Sequence, residues 1–328
     1  MKKVYKQSLL LSISKGLKSL STLIITMIIT RVLSQNDYGI YRQYSLIANL
    51  LGSILVLGVP TSVSYLFKII DRKDLSKLYT STSFILIAIN ILTFLVLIVF
   101  EKPFISLFSK NREIETYYIL LVLYIITIVF FSFLENIYIS DNKGYDFAKV
   151  NTIYFIIQII VFILVSYIFK DLYLILLALL LLEISRGILL YLQYMISNSI
   201  CFDIDIKLIN QQIKVSLPIG LSFIAQTLNS YLGNLYVSKN YNVEDFAVFS
   251  VGVTEIPFVS IVTISIASAI LPTLSQKYNK DHNSIEMLKI WKNSIVVGSV
   301  FIFPIFWTLL FFSDGYIEFV FSKEYLSA

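Results

Sequence analysis

The sequence predicts an all-α polytopic membrane protein, two parallel-repeat helical bundles around a central cavity, with the second bundle incomplete in this chain. Three observations predict it. Of 328 residues, 57% are hydrophobic and only 14% charged, against about 45–50% and 25% in soluble domains. The apolar residues gather into nine runs, each long enough at about 1.5 Å per residue to cross roughly 30 Å of hydrocarbon. A shift of 208 residues lays the start of the chain on its last third.

The first run, Ser8 to Leu33, carries Ser8, Ser12, Lys15, Ser19, Thr22, Thr26 and Thr30 at intervals of three and four, a single stripe on one helix face. Residues off the stripe are nearly all aliphatic. Lys15 and Lys18 would each cost about 2.5–3.5 kcal/mol in mid-membrane, whereas an aliphatic returns only about 0.3–0.6. The stripe must therefore face water or protein: either it lines a cavity or it packs on a neighbouring helix. Lys15 and Lys18 are likewise either cavity cations or side chains that snorkel to headgroups.

Eight further runs follow, near residues 40–67, 80–100, 117–138, 150–169, 172–196, 213–238, 246–274 and 290–312. Gly52, Gly58 and Pro60 interrupt the second, and Pro60 predicts a kink there. Asp37 and Asp245, in equivalent turns, are expected to cap the helices that follow. With the N-terminus inside, fifteen basic residues fall on the inner loops and eight on the outer ones, which favours a cytoplasmic N-terminus. The net charge of +5 thus speaks for topology, not for nucleic acid. The start, with Lys2 and Lys3, mimics a signal peptide but lacks a small-residue cleavage site. Cys201 excludes an internal disulfide, and His282, the one histidine, leaves no zinc cluster.

The shift of 208 carries the stripe onto Ser216, Gly220, Phe223, Thr227, Ser230, Asn234 and Ser238, and Lys18 onto Gln226. It carries Asp37-Tyr38-Gly39-Ile40-Tyr41 onto Asp245-Phe246-Ala247-Val248-Phe249, and with five more residues of slack Phe108-Ser109-Lys110 onto Phe321-Ser322-Lys323. An offset of six helices keeps the two copies parallel. The domains read 1–211, an N-terminal six-helix bundle, and 212–328, the first three helices of a C-terminal bundle. The repeat predicts a gene that runs on for roughly another hundred residues with three more apolar runs; a natural nine-helix chain is the other reading.

The first helix ending in Arg31-Val32-Leu33-Ser34, then Asp37-Tyr38-Gly39-Ile40-Tyr41 and a Gly- and Pro-bearing second helix, resembles the start of the polysaccharide-biosynthesis (O-antigen, Wzx-type) flippases. These belong to the multidrug/oligosaccharidyl-lipid/polysaccharide exporter superfamily. Ser216-Leu217-Pro218 through Ala269-Ile270-Leu271-Pro272 resembles the start of that family's second bundle. The resemblance implies a cavity that opens alternately to the two faces of the bacterial cytoplasmic (inner) membrane. It implies as substrate an undecaprenyl-diphosphate-linked oligosaccharide, moved outward for surface polysaccharide synthesis; membrane lipids are expected partners, and whether the polysaccharide polymerase machinery is another the sequence leaves open. The chain is expected to be no enzyme and to need no cofactor other than a coupling H+ or Na+.

A diphosphate cannot cross hydrocarbon unescorted, so the candidate sites are intramembrane cations: Lys15, Lys18, Arg42 and Arg186. Arg42 can instead anchor to lipid phosphate. Arg186 has Glu183 one turn before it, the spacing of a structural ion pair. Glu135, near the end of the fourth run, reads as a boundary residue. Gln226, Asn229 and Asn234 put amides on the seventh helix, either for sugar hydroxyls or for packing. Glu255, two residues before Pro257 with no base a turn away, is a candidate carrier of a coupling H+ or Na+, or a neutral acid bonded across helices. Within the same fold a cation-coupled drug antiporter is the runner-up. A membrane-embedded glycan polymerase or glycosyltransferase would need a larger outer loop than residues 101–116 provide. A sugar-efflux carrier is a further alternative, although the loop from Lys68 to Tyr79 lacks that superfamily's glycines.

Overall fold

The computed structural model describes residues 2–108, 112–254 and 284–327, with isolated positions between 256 and 274, and side chains from Ser14 onward. The described elements are helical: α1 (Lys2–Val32), α2 (Gln35–Leu55), α3 (Val59–Leu66), α4 (Leu75–Val99), α5 (Glu101–Phe108), α6 (Tyr118–Phe131), α7 (Leu134–Ser140), α8 (Gly144–Phe169), α9 (Leu172–Ser197), α10 (Ile206–Asn240), α11 (Val243–Gly252) and α12 (Ser284–Val320). Five of the described spans are long and apolar enough to cross a membrane, or six if the bent α2–α3 pair is one crossing. Helix α10 is 35 residues long yet is not among them, because Gln211, Gln212, Gln226, Asn229 and Asn234 dilute its hydropathy. It also begins six residues before the expected domain boundary at 211/212.

Local chemistry sets the breaks. The second run bends by 42° between Leu55 and Val59, where Leu57 and Gly58 take left-handed backbone (φ 46° and 72°). Pro60 sits in the first turn of α3, where its fixed φ suits a helix and no N–H is missed. The kink therefore precedes the proline that predicted it. The caps also differ from expectation: Ser34 Oγ accepts the Asp37 N–H, and 208 residues later Asn242 Oδ1 accepts the Asp245 N–H. The residue just before the first turn is the one whose side chain reaches back to an unpaired N–H. Asp37 and Asp245 supply the capped amides instead.

The core is built mainly from α1–α9, takes in Leu208 of α10, Val243, Ala247 and Val251 of α11 and Val320 of α12, and is knitted by tyrosines. Tyr44 donates to the Leu120 carbonyl, Tyr79 to Tyr191, Tyr118 to Leu97 and Tyr138 to Leu190. Each ring fills apolar space while its hydroxyl satisfies a carbonyl that lipid could not. Asp141, buried at the end of α7, accepts from Arg72 at 3.3 Å and pairs with Lys143 at 3.4 Å, tying the α3–α4 turn to the α7–α8 turn. Outward, α8 presents Ile156, Ile160, Ile163, Leu164 and Tyr167, the face expected to meet acyl chains.

A seam joins the two copies. Near the middle of α10, the backbone of Gly220 lies so close to Leu57 that an added Cβ would sit 2.6 Å from its carbonyl oxygen; one on Gly58 would sit 2.6 Å from that of Ser216. At the end where α1 and α12 finish, hereafter the closed end, Thr30 donates to the Phe321 carbonyl at 3.0 Å and Ser238 to the Phe108 carbonyl at 2.7 Å. Thr30 and Ser238 are repeat equivalents, and so are Phe321 and Phe108, so one bond is made twice. Arg31 adds donors to the Glu318, Phe319 and Val320 carbonyls at the end of α12, where a helix end welcomes a cation.

Candidate functional site

A cavity of about 450 Å³ opens between α1, α2, α6, α7, α8 and α9. Helix α1 forms one wall: Lys15, Thr22 and Thr26 of the stripe line it, with Ser14 and Lys18 beside the stripe. Helix α2 contributes Tyr41, Arg42, Ser45 and Asn49, α8 contributes Asn151, Tyr154, Phe155 and Gln158, and α9 contributes Glu183 and Arg186. The described lining comes wholly from the first copy. The expectation was a cavity shared between copies, with α10 facing α1.

All four predicted cations, Lys15, Lys18, Arg42 and Arg186, line this one space. Their partners separate them. Lys15 Nζ lies 2.9 Å from Glu135 Oε1 across the cavity mouth, with both side chains more than a third exposed. Such a wet pair is worth at most about 1 kcal/mol and is easily exchanged. Arg186 is half-enclosed: it pairs with Glu183, donates to Asn151 Oδ1 at 3.0 Å and lies 5.2 Å from the Tyr154 ring centre, while the Tyr154 hydroxyl donates to Glu183 at 3.1 Å. The within-helix ion pair read from the sequence is therefore present and braced from α8. Arg42 donates to the Ser250 carbonyl of α11 at 3.3 Å. Among the described residues no acid pairs with Lys18 or Arg42.

Four cations against two carboxylates leave two positive charges in excess. At an effective dielectric of about 20, unit charges 4 Å apart attract by roughly 4 kcal/mol, several times the value in open water. The cavity is thus a trap for a compact dianion. Its volume is that of a small-ligand site, about 300–1,000 Å³, with room for a headgroup but not for an extended chain.

Gln226 and Asn229 are exposed on α10, Asn234 is half-buried, and none of the three lines the cavity. Ser216 and Gly220 dock on the α2–α3 break, and at 100° per residue this turns Gln226 and Asn229 away from the seam. Glu255 and His282 lie outside the described residues. Sequence reasoning left out Asn49, Asn151, Tyr154 and Gln158, and placed Glu135 at a boundary, not opposite Lys15. A signal existed: Arg42, Ser45 and Asn49 repeat at three and four, as do Asn151, Tyr154 and Gln158, short polar stripes on apolar helices.

A family model described as polysaccharide biosynthesis protein matches residues 28–328. No curated protein matches the chain. Among solved structures, an inward-facing multidrug resistance MATE family transporter of the MOP superfamily is similar over 94% of this chain and 75% of its own, at 13% identity and a TM-score of 0.71. The outward-facing conformation of a MATE family transporter of that superfamily gives 0.63 at 13% identity, covering 99% and 77%. A MOP superfamily transporter from Pyrococcus furiosus, described by the reverse polarity of its binding pocket, gives 0.65 at 13% identity, covering 99% and 77%. At this identity the likeness establishes a shared transporter fold.

Proposed function

Since the chain belongs to the polysaccharide biosynthesis protein family, matched along residues 28–328, we propose that it is a flippase for an undecaprenyl-diphosphate-linked oligosaccharide. In this proposal the substrate moves from the inner to the outer leaflet of the bacterial cytoplasmic membrane, and the chain is no enzyme. One observation carries the reading: a headgroup-sized cavity with two positive charges in excess, Lys18 and Arg42 having no acid partner among the described residues. A diphosphate brings the complementary charge, and each bond from it to a cation is worth about 1.5–3 kcal/mol. The tail stays in lipid and the distal sugars stay outside a space this small. A cationic drug, the cargo of the runner-up antiporter, would meet like charge here.

The excess of inner-loop basic residues supports a cytoplasmic N-terminus. The closed end is then the outer end, in keeping with the higher TM-score to the inward-facing transporter. Glu255 is our candidate for coupling H+ or Na+, and transport indifferent to external pH and Na+ would remove that role. The decisive test is Lys15→Gln with Lys18→Gln. The double variant is expected to insert normally yet lose surface glycan and leave lipid-linked intermediates on the inner leaflet. Normal surface polysaccharide would reject the diphosphate role.

A further inference from the structure

Ser250 lies in the last turn of α11, where carbonyls have no intrahelical donor. The N–H that would complete the helix, that of Thr254, goes to Val251 instead. The Ser250 carbonyl accepts the Thr254 hydroxyl at 2.6 Å and Arg42 Nη2 at 3.3 Å. Arg42 belongs to α2, lines the cavity, and stands 208 residues before the carbonyl it holds. Among the described residues it is the one cavity-lining side chain that bonds across to the second copy. The seam around it is tight: Gly39, one turn earlier on α2, leaves no room for a Cβ against Val243.

We propose that Arg42 is the positioning residue through which cavity occupancy releases the α2–α11 seam. This deepens the flippase reading and rests on it. A guanidinium offers five N–H donors in one plane, and here one nitrogen is held by a neutral carbonyl at a long distance. A diphosphate entering the cavity competes for the same fork with charged oxygens, whose bonds are about twice as strong as those of neutral acceptors. Arg42 turns to the anion, the Ser250 carbonyl keeps only the Thr254 hydroxyl, and the closed end loses a charged clasp. The empty carrier therefore stays shut at that end, and the loaded carrier is freed to open. Lys18 holds the anion without such a bond, so it adds affinity without reporting occupancy.

The test uses the full chain in lipid nanodiscs with Cys201, its only cysteine, replaced by Ser. Spin labels are placed on Gln35→Cys and Glu244→Cys, in the first turns of α2 and α11. Inorganic diphosphate and farnesyl diphosphate, each also measured for affinity, are expected to shift the label distances to longer values. In Arg42→Gln, saturating amounts of either are expected to produce no further shift, and Arg42→Lys to produce a partial one. Linkage demands a reciprocal result: a thiol cross-link between the two cysteines should weaken diphosphate binding at least fivefold, and needs no Arg42 variant to fold. A lower effective concentration for farnesyl diphosphate identifies a lipid headgroup as the trigger, and parity identifies a free diphosphate. Binding without a distance change, or a shift that survives Arg42→Gln, overturns the role of Arg42 and leaves the flippase reading standing. Absence of any diphosphate binding sinks both.

Discussion

One polar stripe, written twice 208 residues apart, meets two different surroundings in α1 and α10. On α1 it turns inward: Thr26 and Thr30 are buried, and Lys15 and Thr22 face the cavity, with Lys18 beside them. On α10 only its ends are buried: Ser216 and Gly220 against the α2–α3 break, and Ser238 against α5. Gln226 and Ser230, between them, are exposed. The difference teaches that a stripe of small and polar residues fixes which face of a membrane helix avoids lipid, but not what it meets instead. Close backbone approach and water-filled space are both satisfied by the same residue types.

The sharpest way to break this comparison is at Gly220, the α10 counterpart of Ser12. A Cβ there would lie 2.6 Å from both the carbonyl carbon and oxygen of Leu57, so backbone would have to move from backbone. Gly220→Ala is expected to cost about 2–3 kcal/mol, within the range for overpacking, and to lower the thermal midpoint in detergent. An unchanged midpoint would mean that the two copies are not in register along this seam.

Second in size is the pair Lys18 and Gln226, equivalents under the repeat. Lys18→Ala removes a cavity cation without an acid partner and is expected to weaken diphosphate binding at least tenfold, about 1.4 kcal/mol or more. Gln226→Ala, outside the cavity, should change it less than threefold by the same titration. Equal losses would move the site out to a space that α10 shares.

Much of the fold was legible because hydrocarbon leaves a chain few options. Eight of the nine runs fall on described helices, and the eighth, near residues 246–274, is described as a helix only in its first part, α11. The stripe of α1 pointed to a wet face before any neighbour was known. What stayed hidden depends on contacts between residues distant in sequence. Lys15 meets Glu135 across 120 positions, so a carboxylate read as a boundary residue becomes the counter-ion of a candidate site. Arg186 announced Glu183 by spacing, but not Asn151 or Tyr154 on α8. The amides of α10 lie off this cavity for the complementary reason: Gly58 and Gly220 set the rotation of that helix through backbone contact, and glycine carries no polarity signal.

The smallest expected effect probes the open face of α10 itself. Gly233 is the repeat equivalent of Ile25, which is buried and lines the cavity from α1. Around Gly233 nothing lies within 4 Å of where a Cβ would be. A glycine in the interior of a 35-residue helix adds backbone freedom to the unfolded chain and fills no gap, so Gly233→Ala should stabilise by about 0.5–1 kcal/mol. The gain would appear as a small rise in thermal midpoint with glycan export unchanged. A fall in midpoint would show that α10 closes on a neighbour at this level, as α1 closes at Ile25. The contrast between the two stripes would then be one of occupancy rather than of architecture.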